Sequence, residues 1–330
     1  AESLKDSFAS WEADGDFTAG IEVLVPLAQS EATTEVRLDM QLAANELRIN
    51  DLDLAVGGLD GAVIFDTRSG LEPSSLTGTL FGEPVTLDLS SEFQDGELSA
   101  LLVAGQGSTT PAEMIDWPRQ SEFVRDLFRQ SEGRFDYQAQ VRIDQTGDAD
   151  TGISLQVNTN LDGLALSLPE PFAKTAAESR ALDLHIDFLS DGQRLQGRYG
   201  PQLGWQLELS NQQLESGLVY VGDDQAQFEM LTENAGSGLS VLGEVSRIEL
   251  DQWLTFLDAV GATAEGGGNA TGFSQTLNVV DIDADILSIY DQELPAVAVR
   301  LQPDSNQQGW LTELEGETVA GTVVIPYAAG

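Results

Sequence analysis

The 330-residue chain carries 55 Asp and Glu against 15 Lys and Arg, a formal net charge of −40. Such an acidic field repels phosphate backbones and anionic headgroups, which argues against nucleic-acid binding and against lying flat on an anionic membrane. The absence of cysteine excludes disulfides, thiolate chemistry and Cys-based zinc sites, while 41% apolar residues are enough to fold a chain of this length around a core.

In chain order, Ala1 to Asp14 is polar and mixed and shows no export signal, and no later run reaches the roughly 18 apolar residues of a membrane span. Glu35–Leu42 then alternates strictly, with Val36, Leu38, Met40 and Leu42 on one side and charged or amide residues on the other. Val85–Leu89 repeats this in shorter form. Pro111 to Arg129 breaks the pattern, placing Phe123, Val124, Leu127 and Phe128 at helical spacing, with Pro118 dividing it. Alternation returns in Arg134–Ile143, which aligns Phe135, Tyr137, Ala139, Val141 and Ile143, and in Ile153–Val157. Ala181–Phe188 aligns Leu182, Leu184, Ile186 and Phe188, and Trp205–Leu209 follows. Glu249–Val260 carries a second helical stripe through Leu250, Trp253, Leu254 and Leu257, and Gly261–Gly272 reads as a flexible loop. Phe273 to Tyr327 is strand-like again and ends abruptly.

Period-2 alternation gathers apolar side chains on one face of a strand. Clusters at Ser69-Gly70, Gly105–Ser108, Asp144–Gly152, Ser190–Gly192 and Gly222–Asp224 punctuate the runs like hairpin turns. The expectation is a mainly β chain: an antiparallel sheet with one dry and one wet face, plus two or three short amphipathic helices. It divides into a first strand segment (1–110), a helical insertion (111–132), a second strand segment (133–248), a helix with a Gly-rich loop (249–272) and a third strand segment (273–330) cut short at its end. Both ends read as those of a piece of a longer protein, with any signal or anchor outside it.

Reactive constellations are sparse. The one histidine, His185, stands beside Asp183 and Asp187 on the polar side of its strand, where solvation is the simpler account than a metal cluster. Asp281–Asp285 opens like a calcium loop, but Ile286 replaces the glycine at the sixth position and Gln292 the glutamate at the twelfth. Alternating aspartates on a strand explain it better. Gly266–Gly268 lacks the Lys-Ser or Lys-Thr of a phosphate loop, and Asn269–Thr271 is a tripeptide common by chance. The acidic second helix lacks the Lys and Arg of an interfacial membrane helix. Carboxylate pairs for sugar hydrolysis abound, and none stands out. No catalytic residue, metal or cofactor is assigned.

Several phrases resemble those of the YhdP family, large AsmA-like proteins of Gram-negative envelopes. They are Trp11–Asp16 (WEADGD) with Ile21–Leu27, Leu47–Leu54 (LRINDLDL) with Gly58–Phe65, Leu80–Leu87 (LFGEPVTL), Asn160–Lys174 (NLDGLALSLPEPFAK), Gly243–Leu254 (GEVSRIELDQWL), and Gly309–Leu314 with Val319–Pro326. They span nearly the whole chain in order. The resemblance implies an elongated, twisted sheet curled into an open apolar groove. It implies phospholipid acyl chains as the partner, conducted across the periplasm toward the outer membrane, with no catalysis. It also implies that the chain is periplasmic, part of a protein anchored in the inner membrane, and reaches both membranes through parts outside these residues.

The groove-lining candidates are Val36, Leu38, Met40, Leu42, Phe135, Tyr137, Val141, Ile143, Leu182, Leu184, Ile186 and Phe188. From alternation alone, these side chains could equally meet a second sheet in a closed sandwich. A structural or adhesive β-sandwich or β-solenoid of the cell surface is therefore the alternative, and a glycan-active β-enzyme a third.

Overall fold

A computed structural model describes residues 11–26, 34–50, 53–117, 122–144, 151–189, 192–210, 213–232, 236–261, 277–290, 292–304 and 309–326. The described chain is mainly β and divides into two compact units. The first comprises Ala1–Gln120, Arg134–Asp162 and His185–Ser190; the second comprises Ser121–Gly133, Gly163–Leu184 and Asp191–Gly330.

The first unit holds β1 (Trp11–Asp14), β2 (Phe17–Leu24), β3 (Glu35–Ile49), β4 (Leu54–Asp66), β5 (Gly70–Leu71), β6 (Ser74–Leu80), β7 (Glu83–Gln94) and β8 (Glu97–Thr109). After β9 (Ser131–Gly133), which belongs to the second unit, β10 (Phe135–Asp144) and β11 (Thr151–Thr159) complete it. β1 and β2 pair end to end along β3, and β3, β4, β6, β7, β8, β10 and β11 follow as an antiparallel ladder. The turns are legible in the chemistry. Asp95-Gly96 joins β7 to β8 with both φ angles positive, at 53° and 90°. That conformation matches the right-handed twist of the flanking strands, and Asp-Gly is among the residue pairs that adopt it most readily. After β8, Thr110 caps the helix Pro111–Ile115: its hydroxyl accepts from the Glu113 N–H (3.4 Å), and Glu113 Oε2 accepts from the Thr110 N–H (2.9 Å).

The second unit pairs β9 with β12 (Leu164–Leu166) in a small separate sheet. β13 (Leu182–Leu189) straddles the division. β14 (Gly192–Tyr199), β15 (Leu203–Ser210) and β16 (Gln213–Val221) are antiparallel neighbours. β17 (Gly238–Glu249) then lies parallel to β16, and β18 (Leu277–Ile289) parallel to β17. β19 (Gln292–Pro303), β20 (Gly309–Gly316) and β21 (Ala320–Pro326) restore the antiparallel pattern.

The two parallel steps qualify the purely antiparallel expectation. A tight turn cannot join parallel strands, so each connection must cross over the sheet. The connections carry the helices Gln225–Thr232 and Leu250–Gly261. Gly222–Asp224, read as hairpin punctuation, therefore opens a crossover instead. The helix Gln225–Thr232 was not anticipated; Phe228 packs its ring against Tyr220 (centroids 6.1 Å apart) and over Gly204. With Glu122–Arg129, four helices are described. Gly105–Ser108 was also expected to end a run, yet it lies inside β8, where a missing side chain makes room for partners on neighbouring strands. Pro118, Asn269–Thr271 and the loop residues 262–272 lie outside the described residues.

Candidate functional site

In the first unit, strand register decides which side chains share a face. Phe17 stands opposite Leu42, Leu42 opposite Gly61, and Gly61 opposite Leu76. Leu76 in turn faces Leu87, Leu87 faces Gly105, Gly105 faces Ala139 and Ala139 faces Val157. Opposed residues project to the same side of a sheet, as do residues two apart on a strand. Val36, Leu38, Met40 and Leu42 of β3 therefore share one face with Phe135, Tyr137, Val141 and Ile143 of β10. Eight strands contribute to this apolar face. Every described strand of the first unit, the residues it takes from β13 included, belongs to one sheet.

Burial along the face is uneven. Ile143 is 1% exposed and Phe135 7%, and Val63, Leu76 and Val85 form a cluster against which Met40, Leu42, Leu87 and Leu89 pack. Val36, Leu38, Tyr137 and Val141 are half-buried. At the β2 edge the face is bare: Phe17 is 60% exposed and Ile21 66%. Tyr137 lies across Gly107, its direct partner, where an added Cβ would meet the phenol oxygen at 3.0 Å. Burial raises the Tyr137 pKa.

The opposite face is ionic. Arg37 bonds Glu72 (2.6 Å) and Asp39 (3.3 Å), and Arg142 bonds Asp144 (2.9 Å) and Glu92. Hydrogen bonding to Glu72 and Glu92, respectively, raises the pKa of each arginine most. Arg134 does the same to Glu83 in reverse, holding its carboxyl below the ordinary range. These pairs are half-buried to exposed at the wet face, where an ion pair adds little to stability.

The second unit repeats the arrangement. Gly197, Trp205, Val219, Val241, Val280 and Leu301 oppose one another in succession from β14 to β19. Leu301 continues the row to Thr312 and Val323.

The family model described as YhdP protein matches residues 1–329. The chain belongs to the YhdP family. It is similar to the intermembrane phospholipid transporter YhdP of Escherichia coli K12, with 25% identity over 327 residues. That match covers 98% of this chain and 24% of the relative, so the chain spans about a quarter of that protein's length. No solved structure matches the chain significantly.

In this YhdP-family chain, the remaining lining candidates fall on β13. Leu182, Leu184, Ile186 and Phe188 are all half-buried. The Gly200 N–H donates to Ala181 O (2.8 Å), which sets the start of β13 beside the end of β14. His185 Nε2 lies 3.0 Å from Asp187 Oδ1 on the same strand. Ile282 and Ala284 are buried while Asp283 and Asp285 are exposed, as a strand requires. Among the described residues no group of three or more potential ligands could hold a metal ion, and no helix is long and apolar enough to cross a membrane.

Sequence reasoning missed the strap that Asn160–Lys174 and the residues after it form. Phe172 is 8% exposed and meets Trp253 edge-on (centroids 5.9 Å apart), and its carbonyl accepts the Tyr199 hydroxyl (3.1 Å). Lys174, 3% exposed, donates from Nζ to Leu164 O (2.7 Å) and Thr175 O (3.1 Å). Glu178 closes a turn on Thr175 through backbone N–H (2.6 Å) and hydroxyl (3.0 Å), and the backbone bond does most to lower its pKa. Burial raises the Tyr199 pKa, against the charge of Arg180. The available signal was one of only two lysines lying inside an otherwise apolar, proline-rich phrase.

An open hollow of ≈ 380 Å³ lies between the strap and the helix Leu250–Gly261, lined by Ser167, Pro169, Asp251, Gln252 and Phe256 among others. Among the described residues Asp251 is the one carboxylate lining it, whereas a glycosidase uses a pair.

Proposed function

We propose that this chain is a non-enzymatic segment of a bridge-like protein that conducts phospholipids along an apolar sheet face across the periplasm toward the outer membrane. The observation that carries the reading is the register-matched apolar face of the first unit, eight strands wide, bare at β2 and ionic on its reverse. The family relationship and the activity named for the E. coli relative support it. A face this apolar must be covered by something. Acyl chains cover it at about 0.8 kcal/mol per buried methylene and need no directional bonds, so the lipid is held yet slides. The groove lining we assign is the β3, β10 and β13 set named above, in which the buried Phe135 and Ile143 support the face and the half-buried members meet the lipid. On this reading the chain is periplasmic, within a protein anchored in the inner membrane, and acts without a cofactor.

Native mass spectrometry of the purified chain tests the reading, together with uptake of a fluorescent phospholipid. Copurified phospholipid and saturable uptake are expected. A lipid-free chain that takes up no probe would return the apolar face to the role of a structural or adhesive surface.

A further inference from the structure

We infer that Arg180 is a phosphate-binding residue for phospholipid passing over the second unit, an inference that rests on the lipid-conducting reading above. Arginines in this acidic chain readily find carboxylates: Arg37, Arg142, Arg247 and Arg300 each have two within 4 Å. Arg180 makes no such ion pair among the described residues. The nearby Glu178 carboxylate feels the Arg180 charge, but its hydrogen bonds go to Thr175, twice through the same oxygen.

The guanidinium is instead held by uncharged groups. Its carbon stands 5.1 Å from the centroid of the Tyr199 ring, and Nη1 donates to Pro171 O (3.1 Å). The stem rests against Gly200, where an added Cβ would meet Cγ and Cδ at 3.2 Å. The ring contact, the Pro171 carbonyl and a bond to the Tyr199 hydroxyl hold the fork in place and leave donors on it for an anion. The residue as a whole is only half-buried, so the fork can be reached.

Its position matters as much as its freedom. Tyr199 ends β14 on the apolar side of the sheet, opposite Leu203, and Leu195 opposite Leu207 continues the same side inward. Those three leucines are half-buried. A cation at the end of an aliphatic surface matches an amphiphile whose anionic head stands at the rim with its tails along the leucines. A planar guanidinium suits a phosphodiester, to which it can donate two parallel bonds.

The test measures binding of acyl-labelled phosphatidylethanolamine and equally labelled diacylglycerol, which lacks the phosphate, to the 330-residue chain and to R180Q and R180K. The wild type should favour the phospholipid about tenfold or more, the size of one charge-assisted bond. R180Q should lose that preference while binding diacylglycerol as before. R180K keeps the stem and the charge, and should keep part of the preference. A preference unchanged in R180Q overturns the assignment, and so does equal loss of both lipids. If R180Q folds poorly, a folded R180K that binds both lipids equally overturns it. Inorganic phosphate at about millimolar concentration should not displace the lipid; if it does, Arg180 holds free anions rather than headgroups, and the inference fails. A wild-type chain that binds neither lipid is a distinct result, because it removes the lipid-conducting reading itself.

Discussion

Trp205 and Gly197 face each other across β15 and β14, and the indole occupies the space a side chain at Gly197 would need. A Cβ built on Gly197 would stand 2.2 Å from Trp205 Cζ2 and 2.9 Å from Asp183 O. The indole would have to move, and the carbonyl on the other side is backbone. Gly197→Ala should therefore destabilise the chain by about 1–3 kcal/mol, the cost of overpacking, read as a lowered urea midpoint. An unchanged midpoint would show that the indole swings clear.

The lining assignment separates into two kinds of residue. Leu38 is half-buried, so Leu38→Asp should leave the chain folded and reduce phospholipid uptake several-fold. Ile143 is 1% exposed, so Ile143→Asp should unfold the chain, and even Ile143→Ala should cost about 2–5 kcal/mol. Ile186→Asp should behave like Leu38→Asp. Circular dichroism beside lipid uptake distinguishes the cases, and full uptake in folded Leu38→Asp and Ile186→Asp would sink the assignment.

Alkaline pH should weaken the fold through its tyrosines. Burial raises the pKa of Tyr137 and Tyr199, so the native state keeps protons that the unfolded chain releases. The unfolded state then binds fewer protons, and stability falls as pH rises from about 10, where free phenols ionise, through the raised native values. Tyr137→Phe should flatten this fall in urea midpoints taken at intervals from about pH 8 upward. An equally steep fall in the variant would place the effect elsewhere.

Acid acts in the opposite sense. Backbone bonding from Thr175 lowers the Glu178 pKa, and Arg134 lowers that of Glu83. Their contributions are complete above the ordinary carboxylate range and are lost as pH falls through the lowered native values. Melting temperatures of Glu178→Gln should differ from the wild type at neutral pH and converge with it in acid. Parallel curves would mean that the turn on Thr175 does not need the charge.

Salt should stabilise the chain. A net charge of −40 repels itself, and the Debye length falls from about 30 Å at 0.01 M salt to about 3 Å at 1 M. The melting temperature should climb steadily across that range, since screening the general repulsion outweighs the loss of solvent-reached pairs such as Arg37–Glu72. A falling melting temperature would show that the paired arginines matter more than the field.

Much of the first unit was legible because its signals are local. The alternation of Glu35–Leu42 and Arg134–Ile143 acts within a few residues, and β3 and β10 follow it. The helical stripe at Glu249–Val260 likewise appears as the helix Leu250–Gly261. Gly105–Ser108 misled for a reason local chemistry cannot reveal. Glycine marks turns, but it also marks places where a neighbouring strand presents a bulky side chain, here Tyr137 over Gly107.

By itself the sequence determined an acidic, one-sided sheet without thiols or an evident reactive cluster, because charge, composition and period-2 alternation are properties of the chain alone. Only the tertiary structure decided that β3 and β10 turn their apolar sides to one face, that β16, β17 and β18 run parallel, and that Arg180 lies against Tyr199. Those facts depend on register and on contacts between residues distant in sequence, and alternation is the same whichever strand lies alongside.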